Sequence, residues 1–149
     1  MGTDIHFVVE FRDPEVDNGA WFGVFSSDTL FVHLDHPIHG LLSRDYPFFA
    51  ALASVRGLAG PEPNGLPDDA SALARHSLAA AGGDMHSTCH MSLHEFVSKK
   101  LTTPDLVGST TATKLLGGDP VIDYINMLGI YTTPPDVHGA ARVIAWFDN

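Results

Sequence analysis

The stretch from residue 4 to 12, Asp-Ile-His-Phe-Val-Val-Glu-Phe-Arg, constrains the fold most, because its side chains alternate with the period of a β-strand. Ile5, Phe7, Val9 and Phe11 face one way, while Asp4, His6, Val8, Glu10 and Arg12 face the other. Such a strand must bury one face and pair its backbone with a neighbour. A second strongly β-prone run, Arg142 to Phe147, stands at the far end of the chain. The expected fold is therefore α+β. It comprises a single domain over residues 1–149, with a mixed or antiparallel sheet pairing the N- and C-terminal strands and helices packed on one face.

The chain between these runs is punctuated by turn and cap residues. Asp13-Pro14 through Asn18-Gly19 is turn chemistry, and Trp21 to Phe25 with Leu30 to Leu34 reads as a short meander about Ser26-Ser27-Asp28. Asp45 is placed to cap a helix with Pro47 in its first turn, Phe48, Leu52 and Val55 as its apolar stripe, and Gly57 as its end. Pro61 to Pro67 is a rigid loop, and residues 69–81 are helix-prone up to Gly82-Gly83. Ser92-Leu93-His94-Glu95 matches a capping box, in which the Ser hydroxyl and the Glu carboxylate each satisfy one helix-end N–H. The Thr- and Gly-rich stretch 101–118 carries no clear period, and Asp119-Pro120 opens a helix through Leu128 that Gly129 closes.

Composition narrows the function classes. No apolar run approaches the ~18 residues of a membrane helix, and the first residues lack the basic-then-apolar order of a signal peptide, so a cytoplasmic setting is expected. A net charge of -10 with only eight Lys and Arg gives no driving force for broad nucleic-acid binding. Cys89 is the only cysteine, which excludes an intrachain disulfide. Zinc-ribbon, P-loop and dinucleotide fingerprints are absent.

Nine histidines beside eighteen acids supply the nitrogen and oxygen donors that zinc, manganese or iron take. They concentrate in the stretch 83–95, which carries Asp84, His86, Cys89, His90, His94 and Glu95. Asp84-Met85-His86 repeats the acid-x-histidine spacing of Asp4-Ile5-His6, and two such units offer four ligands to one divalent ion, zinc or manganese first. The competing readings are a solvated strand face for Asp4 and His6, in keeping with Glu10 and Arg12, and turn chemistry for Asp84. His33, Asp35, His36 and His39 form a denser cluster whose order fits no metallo-hydrolase motif. Cys89 with His90 and His94 has the residue types of a zinc site or a thiolate–imidazole pair. Arg44, just before a helix start, suits an anion or an acid partner; Tyr46 suits a core position or a hydrogen bond to ligand.

Six blocks along the chain are similar to a family of small, uncharacterised bacteriophage and bacterial proteins. They are Met1-Gly2-Thr3-Asp4-Ile5-His6, Arg44-Asp45-Tyr46-Pro47-Phe48-Phe49, Val55-Arg56, Gly65-Leu66-Pro67, Asp84-Met85-His86-Ser87 and Trp146-Phe147-Asp148-Asn149. The resemblance spans the chain and implies a role for Asp4, His6, Arg44, Tyr46, Asp84, His86 and Asp148 rather than for the His33 to His39 cluster. Thr3, where family members often carry Cys, and Cys89 depart from the pattern.

Together these readings predict a metal-dependent hydrolase of a phosphate ester or nucleotide. Asp4, His6, Asp84 and His86 hold the ion, Arg44 the phosphate, Asp148 takes a proton or completes the ligand set, and Tyr46 donates to or stacks on the substrate. The alternative is a binding protein without turnover that sequesters a small anionic or nucleotide ligand or blocks a host defence protein. A third is a buried polar network of Asp4, His6 and Asp84 that joins the two ends of the chain.

Overall fold

The computed structural model describes residues 2–28, 45–102 and 140–148. Arg44, the His33–His39 cluster, the 30–34 run and the 119–128 helix lie outside the described residues. Four strands, β1 (Asp4–Phe11), β2 (Phe22–Ser26), β3 (His86–Ser92) and β4 (Ala141–Asp148), form one antiparallel sheet in the order β2-β1-β4-β3. The strands at the two ends of the chain pair in continuous register from Asp4 opposite Asp148 to Phe11 opposite Ala141. That register places His6 opposite Trp146 and Glu10 opposite Arg142.

Among the described residues three α-helices join the sheet: α1 (Tyr46–Ala53), α2 (Ala72–Ala81) and α3 (Leu93–Thr102). Each starts where a side chain can satisfy an orphan N–H. Asp45 accepts from the Phe48 amide at 3.3 Å, Ser71 from Ala74 at 3.2 Å, and Ser92 from Glu95 at 3.1 Å. Helix α1 ends at Ser54, whose left-handed backbone leads into a 3-10 turn over Val55–Gly57. The α-helix therefore stops two residues before Val55, which the 3-10 turn still buries in the same core as Phe48 and Leu52.

The odd-numbered side chains of β1 meet α1 and α3. Phe7 lies 5.3 Å from Phe96 and 5.7 Å from Phe25 between ring centroids, and Phe49 lies 5.2 Å from Phe147. Each such fully buried ring contributes roughly 1.5–3 kcal/mol of transfer free energy. The other face, expected to be solvated, is covered too. Helix α2 lays Leu73, Ala74 and Leu78 against Val8, Ile144 and Trp146. Helices thus occupy both faces of the sheet where a one-sided layer was expected. Gly23 permits the close approach, since a Cβ there would fall 2.4 Å from Leu73.

Two charged residues are buried under α2. Glu10, with no exposed surface, accepts from Arg142 and, at 2.6 Å, from the Ser71 amide. Arg142 also donates to the Asp69 carboxylate at 2.8 Å, and Trp21 Nε1 donates to the same carboxylate at 3.1 Å. The Arg142 hydrogen bond holds the Asp69 carboxyl below its usual range. Glu10 and Arg12 therefore belong to a structural clamp that fixes the start of α2, with Arg12 and Arg142 both stacked over the Trp21 ring.

The stretch 86–92, where no strand was expected, forms edge strand β3. Only Cys89 and Met91 of this strand enter the core, so the sequence shows little apolar alternation there. Asn64 closes its outer edge by acting as a strand substitute. Its side-chain amide donates to the His90 carbonyl at 3.0 Å and accepts from the His90 N–H at 2.8 Å, while the Gly65 N–H donates to Thr88 at 2.8 Å.

Candidate functional site

At the rim where β1 begins and β4 ends, His6 is held between two carboxylates. Its position follows from three strands. On β2, Ser26 pairs with Val8, and the buried Ser27 hydroxyl then accepts the Phe7 N–H at 2.7 Å. This bends the chain so that Asp28 Oδ1 reaches His6 Nδ1 at 2.7 Å. On β4, Asp148 Oδ2 lies 3.0 Å from His6 Nε2, and its other oxygen accepts the Asp4 N–H at 3.1 Å. Trp146 lies parallel to the imidazole, with ring centroids 6.1 Å apart and planes 5° apart.

Ionised carboxylates only accept hydrogen bonds, so contacts at both ring nitrogens require a proton on each. The imidazolium form of His6 makes both contacts at once. Burial alone lowers its pKa, but the hydrogen bonds and charges of Asp28 and then Asp148 outweigh that and raise it above 6.5. The ring is one-fifth exposed, while Asp28 and Asp148 are 43% and 35% exposed, so the array can be reached from solvent through its carboxylates. Asp4, two residues before His6 on the same strand face, adds a fourth polar group.

The other expected ligands do not join this group. Between His86 and Cys89 strand β3 carries a bulge, with Ser87 and Thr88 together opposite Trp146 and Ser87 at φ 55°. The extra residue turns His86 to the opposite face, where its ring stacks on Phe147 at 6.2 Å. His6 and His86 thus lie on opposite faces with β4 between them, and Asp84 is exposed in the turn after α2. Asp4, His6, Asp84 and His86 do not form one metal set, and no group of three or more His, Cys, Asp or Glu suited to an ion occurs among the described residues. One ion also could not touch Asp28, His6 and Asp148 together, since the carboxylates hold opposite edges of the ring. The network that does tie the chain ends is Asp4, His6, Asp28 and Asp148, without Asp84.

Tyr46 packs against the core on the face away from His6, edge-on to Phe49, with the Arg56 guanidinium 5.0 Å above its ring. Cys89 points into the core opposite Ala145, while its neighbour His90 faces the other way opposite Ile144. Burial pushes the Cys89 thiol up to about 12, so it is neither a thiolate nucleophile nor paired with His90. Two buried side-chain nitrogens at this end of the sheet, His86 Nε2 and Trp146 Nε1, have no hydrogen-bond partner among the described residues.

Sequence reasoning named Asp4, His6 and Asp148 but missed Asp28. The signal was its place in the turn of the expected meander, three residues past Phe25. A cavity of about 520 Å³, lined by Asp17, Trp21, Asp69 and Arg75 among others, opens at the Glu10 end of the same face. Four strand positions separate Glu10 from His6, ~13 Å, so this cavity is apart from the array. No protein-family model, curated protein or solved structure matches the chain.

Proposed function

We propose that the protein is a hydrolase of a phosphate ester or nucleotide that works by acid–base chemistry at Asp28, His6 and Asp148. The observation that carries this reading is a solvent-reachable imidazole bonded to a carboxylate at each nitrogen, at 2.7 Å and 3.0 Å. Such an imidazolium can pass a proton to a leaving oxygen, and a neighbouring carboxylate can take the proton of an attacking water. Asp148 is the better-anchored partner, because the Asp4 N–H also holds it, and it orients the ring. Asp28, the more exposed of the two, is the carboxylate that yields Nδ1 to substrate and then serves as base.

Two carboxylates and one imidazolium sum to a single negative charge before Asp4 is counted, so an anionic phosphate needs a positive partner. Arg44 is assigned that role. The four-residue metal set fails on geometry. The test is turnover of phosphate monoesters, diesters and nucleotides by the untagged protein, in chelator and with added zinc or manganese. Hydrolysis that is lost in His6→Gln, with the melting temperature retained, supports the reading. Stoichiometric retention of a nucleotide without turnover would instead establish the sequestering protein.

A further inference from the structure

We infer that this site cleaves phosphate esters of alcohols, such as a sugar hydroxyl, in preference to phosphoanhydrides or esters of acidic phenols; this rests on the hydrolase reading above. The argument starts from what a protein can gain from a fixed imidazolium. General-acid help is large only when the leaving oxygen passes from being less basic than the acid's conjugate base to being far more basic during bond breaking. An alkoxide leaving a phosphorus atom makes that change. A nitrophenolate or a phosphate leaving group does not, because each departs as a weak base without a proton.

The array is built for the first case. Both ring nitrogens face carboxylate oxygens, at 2.7 Å and 3.0 Å, so the proton is held in place rather than shared with bulk water. Trp146 backs the ring and the sheet backbone fixes its strand, so the ring is already in place when substrate displaces Asp28 from Nδ1. In the step itself, water attacks phosphorus and its proton passes to the carboxylate of Asp28. The phosphorus–oxygen bond to the alcohol breaks, and the Nδ1 proton of His6 passes to that oxygen. The base then returns its proton to the imidazole, and no oxidant or further reactant is required.

The experiment compares a nucleoside monophosphate, a nucleoside diphosphate and nitrophenyl phosphate on the native protein and on His6→Gln. The expected result is loss of alcohol-ester turnover by about 10²–10⁴-fold in the variant, with nitrophenyl ester turnover changed far less. Should the variant not fold, a series of alkyl and aryl phosphates on the native protein reads the same property. Rates that barely fall as the leaving group becomes more basic support the inference. Equal losses on all substrates in His6→Gln, a steep fall across the series, or preference for the diphosphate would overturn it. Absence of turnover on every substrate would instead remove the hydrolase reading beneath it.

Discussion

Glu10 and Arg142 show how much one residue's partners decide. The alternation of β1 assigns Glu10 to a polar face, yet it has no exposed surface and is hydrogen-bonded by Arg142 and the Ser71 amide. Removing one partner of a buried ion pair leaves an uncompensated charge, which typically costs about 3–5 kcal/mol. Arg142→Ala is expected to destabilise by that amount in urea unfolding, and a Glu10→Leu, Arg142→Met double variant by far less. Cys89 is the converse case, a residue with reactive chemistry in a place that silences it. With its thiol pushed up to about 12 and its side chain in the core, it should resist alkylation at neutral pH until the protein unfolds. Rapid labelling of the native protein would contradict its placement.

Among the elements, β1, β4 and the starts of α1 and α3 were legible, because alternation and cap residues are local signals. Asp45 and Ser92 cap where they stand and Gly82 ends α2, whereas α2 starts at Ala72 behind Ser71, three residues later than the expected 69. Strand β3 was not legible, since its pairing depends on β4 more than fifty residues further on and only Cys89 and Met91 mark its inner face. The bulge at Ser87 and Thr88 was likewise hidden, and it is what separates His86 from His6. The site followed the same division. Asp4, His6 and Asp148 could be placed from strand order, whereas Asp28 depends on the turn that the Ser27 hydroxyl makes. The edge of β3 has its own test. Asn64 makes two hydrogen bonds to the His90 backbone, so Asn64→Ala should cost about 1–2 kcal/mol and raise amide exchange at His90 above that of Cys89. Unchanged exchange would mean that the loop, not the side chain, guards the edge.

For the molecule as a whole, the His6 array ties together strands whose residues are separated by up to 144 positions. Its contribution to stability has a definite sign. The folded state raises the His6 pKa above 6.5, so it binds that proton more tightly than the unfolded chain. The stabilisation is fully present below pH ~6.5 and is lost as pH rises through the raised folded-state value. The difference in melting temperature between the native protein and His6→Gln should therefore shrink from acid to alkaline pH; a gap that widens with pH would reverse the sign. The measurement that bears most directly on the account is nitrogen-detected NMR titration of the His6 imidazole in the native protein and in Asp28→Asn and Asp148→Asn. Protons on both ring nitrogens at neutral pH, a titration midpoint above 6.5, and a lower midpoint in each variant are the expected result. A neutral ring at pH 7 with a single tautomer, or a midpoint at or below 6.5 that neither variant moves, would contradict it.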